Sequence, residues 1–589
     1  MGERKYQQVW KLDSKGSYNE KLTKLVKQLE DKLHHFTTPR ILEDAIHITE
    51  LLTSIAEVRV HLSQTSSIVS CLMAQNSNDQ TAVALKGEVL SINARFDSCL
   101  QRFIIMLADT NESTWKKIID SELLRNYRFI LNEWKENRLE IFDNEQIITN
   151  FMADGYHAWG DFYHALIGKI IVNIGVEGKE NKLSVGQAIN LRSHPNEDVR
   201  RDSFFKLEGI WEENEEVFAK VLNHISGYRL QDYHNRGVDD VLAVPLIRNR
   251  LKKETLRAMW KVVDQSKQPF IDYLNQKAIM IGGKKLHAYN FWAPLSRVNH
   301  QIEYRDAVEF ILKQFSTFGD EMESFSRQAF EKGWIEAEDR SNKSTVAFCA
   351  GFPVSEESRV FMTYGGSITN VLTLAHELGH AFHNYAMKGV DGINRQYPMC
   401  IAETASTFSE MIILDAAKSK AKSDEEKLFF LDEKLKRSVM NFMNMHVRFL
   451  FEKKFYEERK TGIVPSERLN ELMEEALNKG YEGSLASVSV HSWVWTPHFY
   501  LTKVPFYNFP YTFGYLFALC LYAKSKEVGK EFEMSYLELL RDSGSMTMEA
   551  LVRKHLNEDI TKEDFWEKGI KLCLEDVEEF IMLSHKLTK

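Results

Sequence analysis

Two histidines one helical turn apart, with a glutamate beside the first, constrain this chain more than any other feature: His376-Glu377-Leu378-Gly379-His380. On an α-helix residues i and i+4 project from one face, so His376 and His380 can direct ring nitrogens at a single ion. Glu377 lies next to that face but too close in sequence to share the coordination geometry, which leaves it free as a general base for a metal-held water. The flanking residues predict the helix. Ser367 and Thr369 are candidate N-caps after Gly365-Gly366, and Gly389 is a candidate stop. Leu374, Leu378, Ala381, Phe382 and Tyr385 recur at helical spacing on a packing face, while Thr373, His376, His380 and His383 form a stripe roughly opposite.

A catalytic zinc usually takes three protein groups and leaves a fourth position open. The metzincin extension of the motif is absent, since residue 383 is His where Gly is required and residue 386 is Ala where His is required. The stretch from Cys400 to Glu410 instead reads as a second helix, with Ile401, Ala405, Phe408 and Ile412 apolar and Glu403 and Glu410 two turns apart on one face. Glu403 is taken as the third ligand and Glu410 as the acceptor that orients a ligand imidazole. The remaining histidines have different settings. His383 lies on the ligand stripe, as an orienting residue, cleft wall or packing. His446 sits in the Met- and Phe-rich segment Met440 to Phe455 and reads as core. His491 and His498 fall among Trp493, Trp495, Pro497 and Tyr500, where an aromatic cluster alone would account for them.

With these residues in place, the chain resembles the oligoendopeptidase F group within the thimet oligopeptidase class of zinc peptidases. The resemblance rests on Thr373 to His383 and Ile401 to Ser406, and extends upstream to Phe348 to Pro353 and Arg359 to Tyr364. Downstream it includes Trp495 to Tyr500 and Pro505 to Tyr515. It covers roughly residues 200 to 580, and Trp10-Lys11-Leu12-Asp13 is similar to the start of members of the group. The resemblance implies a mainly α, two-lobed, zincin-like metallopeptidase with a small β-sheet beside the active-site helix and a deep internal channel. It further implies one zinc ion per chain, short unstructured peptides as substrates, and cleavage of internal bonds. His498 and Tyr507 are the candidate oxyanion donors, followed by Tyr500, Tyr511 and Tyr515. Two rivals remain open: a helical metallocarboxypeptidase using the same motif, and a peptide-binding protein without catalysis, against which the intact Glu377 argues.

Organisation agrees with a large helical protein. Helices are predicted over Tyr18 to Leu33, Ile41 to Leu62, Ser66 to Asn76 and Thr81 to Leu107, forming an amino-terminal helical lobe over 1–190. Turn chemistry near Gly175 to Glu180 and Ser193 to Asp198 leads into a catalytic region over 191–589. Arg359 to Tyr364 reads as a short edge strand ahead of the metal helix, able to pair with an extended peptide. The net charge of −9 carries no concentrated basic face, which argues against nucleic acid as a partner. Six scattered cysteines form no C-x-x-C pair and read as reduced. The one long uncharged stretch, Val504 to Ala523, is interrupted by Pro505, Asn508, Pro510 and Gly514, so no membrane span is expected. With no secretory signal or myristoylation pattern at the start, the cytoplasm is the expected compartment, with no preference between monomer and homo-oligomer.

Overall fold

The computed structural model describes residues 6–12, 18–35, 45–136, 151–176, 179–295, 301–344 and 346–588. Asp13, the first residues of the helix expected from Ile41, and residues 177–178 of the expected turn lie outside them. The fold is mostly helical with two small sheets. No helix among the described residues is long and apolar enough to cross a membrane. None of the six cysteines is in a disulfide. By contacts the chain divides into two compact units, each assembled from three stretches: Met1–Arg138, Asn299–Ala416 and Leu521–Asp559 in the first, Leu139–Val298, Ala417–Cys520 and Ile560–Lys589 in the second. This division interleaves the chain, whereas the sequence reading drew a single boundary at 190.

In the first unit, helices Tyr18–His35, Ala45–Gln75 and Gln80–Ala108 pack on one another. Leu22, Val26, Leu29 and Leu33 recur every three or four residues and are at most 1% exposed, as an amphipathic stripe requires. The two helices predicted between 41 and 76 are one. Ser63 to Ser66 has the composition of a break, yet Thr65 bonds back to the carbonyl of His61 at 2.8 Å. Gln64 turns its side chain to accept from the amides of Val354 and Ser355. Polar groups satisfied within the helix, as Thr65 is, or by tertiary partners, as Gln64 is, do not end it.

The first unit also holds a three-stranded sheet of β3 (Ile335–Glu336), β4 (Phe348–Phe352) and β5 (Glu357–Phe361), in the order β3, β5, β4. β5 is therefore the central strand, parallel to β3 and antiparallel to β4, and the edge assignment for Arg359 to Tyr364 is corrected. The physical reason is burial on both faces: Arg359, Val360, Phe361 and Met362 are all buried, the pattern of an interior strand and not of a half-exposed one. The edge passes to β4. On the far side of β3 the amino-terminal segment closes the sheet, with Ala337 N donating to Gln8 O at 2.7 Å and Lys11 N to Gly333 O at 2.8 Å. The remaining sheet, β1 (Ile171–Val176) with β2 (Lys179–Ser184), is an antiparallel pair in the second unit.

The metal-motif helix runs Ile368–Ala386 and packs on β4 and β5. Ser367 is its N-cap, in a reciprocal box with Asn370, while Thr369 lies inside the helix and accepts from the Thr373 hydroxyl through its carbonyl. Glycine in a helix interior costs stability, yet Gly379 has a reason to be there. A Cβ at that position would stand 2.4 Å from Ala405 O and 2.6 Å from Ser409 Oγ, both on the helix Thr404–Ser419. We expect Gly379→Ala to force the two helices apart, lowering stability by about 1–3 kcal/mol. Thermal unfolding should show the loss, together with reduced metal content in the folded fraction.

Candidate active site

His376 and His380 project from the capped helix, and Glu403 arrives from the segment that follows it. The second helix expected from Cys400 is interrupted at this ligand, with a single turn at Met399–Ala402 and the main helix beginning at Thr404. Glu403 sits in the junction, where the Ser406 hydroxyl donates to its Oε2 at 3.0 Å and to its main-chain carbonyl at 2.9 Å. The same Oε2 lies 3.3 Å from His376 Nε2 and 3.4 Å from His380 Nε2. A tetrahedral ion with bonds of roughly 2.0–2.2 Å sets its ligands about 3.4 Å apart, the spacing found between Glu403 and each imidazole, so the carboxylate stands where a zinc-sized dication requires it. The three donors form the metal-competent group of the described residues. Glu410 takes the place expected of it, its Oε2 3.4 Å from His376 Nδ1.

The electrostatics suit a cation. Burial disfavours a charged His376, but its bonds to Glu403 and Glu410 overcome that and raise its pKa to about 10. Burial likewise opposes ionisation of Glu403, while its bonds to His376 and His380 hold the carboxyl well below the usual range. A proton on the His376 imidazole thus stands in for the metal charge. Glu377 differs. It is 5% exposed, and its Oε2 is buried with no hydrogen-bond partner. Burial pushes its pKa up, opposed by His376 and His380. A buried carboxylate oxygen without a donor is a group held ready for a proton.

This centre opens into a cleft of about 1100 Å³ within the first unit. One wall is β4 with Cys349 and Gly351, another comes from Ser63, Ser66 and Asp97, and Tyr397 and Arg395 lie along the floor. His383 does not face the metal group. It is fully buried, stacked on Tyr397 at 4.1 Å, with Nε2 3.0 Å from Ser543 Oγ, and burial lowers its pKa to about 3.

His498 and Tyr507 belong to the second unit, where they meet each other and Tyr511. Ring centroids are 5.2 Å apart for His498 and Tyr507 and 5.6 Å for His498 and Tyr511. Arg448 donates Nη1 to His498 Nδ1 at 2.9 Å, which makes Nδ1 the acceptor and leaves Nε2 as the N–H side, 3.5 Å from the Tyr511 hydroxyl. Burial, with Arg448 adding to it, lowers the pKa of His498 to about 4. Of the other candidate tyrosines, Tyr500 is core, stacked on Tyr163 at 3.8 Å, and Tyr515 pairs with Ser438 at 3.0 Å. His491 is held between Glu208 and Glu215 at 3.1 and 3.2 Å, an ion-paired support. His446 is core as expected, stacked on Trp260 at 4.5 Å.

Sequence reasoning missed two residues here. Arg448 and Glu452 stand four apart in a helix otherwise read as apolar nearly all round, and that contrast was the available signal. Glu452 accepts from Phe506 N at 3.1 Å and Asn508 Nδ2 at 2.6 Å. It thereby holds Phe506 at a left-handed φ of 54°, immediately before Tyr507.

Comparison with known proteins bears on this geometry. The model of the family described as "Peptidase family M3" matches residues 190–572. An oligoendopeptidase F homolog of Lactococcus lactis is 25% identical, over 69% of this chain and 67% of its own. The oligopeptidase PepF of Bacillus subtilis is 20% identical, over 98% of this chain and 88% of its own. Among solved structures, oligoendopeptidase-F from Enterococcus faecium has a TM-score of 0.71 at 18% identity, covering 97% of this chain and 99% of that one. A chain from Chlamydophila abortus reaches 0.83 at 21%, covering 98% and 100%. These two structural likenesses show the fold.

Purified protein should hold about one zinc per chain and release it to a chelator, as elemental analysis before and after dialysis will show. Glu403→Ala should lose most of that zinc, and Glu410→Ala should weaken it by about 10–100-fold. Unchanged zinc in Glu403→Ala would move the third ligand to Glu410.

Proposed function

Since this chain belongs to peptidase family M3, a family of metallopeptidases, we propose that it is a zinc-dependent oligoendopeptidase that hydrolyses internal bonds of short unstructured peptides. The names of its relatives, oligoendopeptidase F and oligopeptidase PepF, support the substrate class. The observation that carries the chemistry is the buried, unpartnered Oε2 of Glu377 beside the His376, His380 and Glu403 group. The start of the family match at residue 190 supports a catalytic region over 191–589 after an amino-terminal helical lobe over 1–190. The absence of disulfides fits the cytoplasm.

His376, His380 and Glu403 would hold the zinc, with Glu410 and Ser406 fixing the orientation of His376 and Glu403. When bound, zinc supplies Lewis acidity to the scissile carbonyl and to water. Glu377 Oε2 takes the proton of the attacking water and returns it to the departing amine nitrogen, and the upward push of burial on its pKa favours that proton uptake. The resemblance keeps His498, whose Nε2 carries the hydrogen, and the Tyr507 hydroxyl as the candidate oxyanion donors. A neutral imidazole of fixed tautomer suits that role, because it donates without having to lose a proton first. An extended peptide would lie along the edge of β4, pairing main chain with main chain, which tolerates many side chains and excludes folded proteins.

Glu377→Gln keeps the shape and removes the base, so kcat on a quenched-fluorescent peptide should fall by at least ~10²-fold with zinc content and thermal stability retained. An endopeptidase should also cut the free-acid and amidated forms of one nine-residue peptide at the same internal bond, read by mass spectrometry. Release of single carboxy-terminal residues, abolished by amidation, would instead establish the carboxypeptidase reading.

A further inference from the structure

The second unit contains a cavity of about 180 Å³ for which the proposed reaction has no use. Its wall is largely apolar, and Phe204, Trp211, Tyr289, Trp292, Tyr481 and Trp495 are among the residues lining it. Two guanidiniums complete it. Arg192 lies over the ring of Trp292, 5.0 Å from its centroid, and Arg448 reaches in from the helix Met445–Arg459 with Nη1 committed to His498. The other charged side chains on this wall are matched. Arg200 donates to Asn290 Oδ1 and to the carbonyls of His194 and Pro195, and Glu208 accepts from His491. Among the described residues no carboxylate stands within ion-pair distance of Arg192 or Arg448.

Arg192 reaches solvent and Arg448 is half-buried, and two cations on one apolar wall, neither with a counter-ion, form a positive patch that an incoming anion neutralises. Burial lowers the pKa of both, that of Arg448 to about 10, and Arg192 contributes to that lowering by repulsion. An apolar cavity of ~150 Å³ accommodates one benzene ring, so this one has room for a single ring or branched aliphatic group. We propose that it is a binding site for a small apolar carboxylate, the hydrophobic group against Trp211, Trp292 and Trp495 and the carboxylate bridging Arg192 and Arg448. A free organic acid and the carboxy-terminal residue of a peptide present the same chemistry. The site does not depend on hydrolysis, so its test is independent of the metal centre.

The lining tryptophans provide the readout. Full-length protein carrying Glu377→Gln is titrated with 3-phenylpropionate and, separately, with 3-phenylpropanamide, following tryptophan fluorescence. We expect saturable binding of the acid and at least ~10-fold weaker binding of the amide. Arg192→Gln, an exposed position outside the catalytic set, should weaken the acid by about 10-fold and leave the amide unchanged, with an unaltered thermal melt confirming the fold. Competition by N-acetyl-Ala-Ala-Phe as free acid and as amide separates the sources: displacement by the acid alone assigns a peptide terminus, displacement by neither assigns a free organic acid. Equal affinity for acid and amide, no saturable signal, or indifference of the acid to Arg192→Gln would overturn the site.

Discussion

The metal centre hangs on how closely two helices approach. A carboxylate is a short ligand, and Glu403 can reach the nitrogens of His376 and His380 only because the helix that follows it lies against the motif helix at the one residue without a side chain. The fourth position of the motif is therefore not a spacer. Gly379 trades helix propensity for proximity, and the interdigitated contact with Ala405 and Ser409 fixes the distance that coordination then requires. The capping box at Ser367 and the strands β4 and β5 hold the other side of the same helix, so the imidazoles are positioned before any ion arrives.

Around that contact the carboxylates are divided by environment. Glu403 is tied to both imidazoles and stays ionised, Glu410 lies against His376 Nδ1, and Glu377, one residue from His376, has no donor on Oε2 and is raised by burial. Neighbouring acids pushed in opposite directions are what the proposed division of labour, one carboxylate for the ion and one for the proton, requires. The same division recurs in the second unit. There Arg448 fixes which nitrogen of His498 carries hydrogen, and Glu452 secures the turn that presents Tyr507.

Much of this was legible in the chain. The motif helix, its cap at Ser367 and the gathering of His376, His380, Glu403 and Glu410 follow from spacing and capping chemistry, because those signals are local and strong. The interruption at Glu403 was not, since glutamate favours helix and no Gly or Pro marks the break; the Ser406 hydroxyl that fixes the carboxylate there acts through a contact only the fold reveals. β5 was misplaced at an edge because bounding turns locate a strand without saying how many neighbours it has, and the buried run from Arg359 to Met362 was the overlooked clue. The helix Ala45–Gln75 was read as two because Gln64 and Thr65 look like loop residues until the tertiary partners of Gln64 and the bond from Thr65 back to His61 are known. Among the tyrosines, sequence alone could not separate Tyr507 and Tyr511, gathered at His498, from Tyr500 and Tyr515, which are core.

The interleaving of the two units bears on how the molecule is made. Every residue of the metal group lies between 376 and 410, yet the unit that contains it is completed by Leu521–Asp559, whose helices place Tyr536 against Phe382 and Phe408 and Ser543 against His383. The other unit waits for Ile560–Lys589, which supplies Trp566 to Phe513 and Phe580 to Tyr273. Neither can close until its third stretch has been made. Closure of long loops is slow, and a nascent chain of this topology exposes apolar helix faces until those stretches are present. The His376, His380 and Glu403 group is thus local in sequence, yet the unit that positions it is complete only once Leu521–Asp559 has joined it.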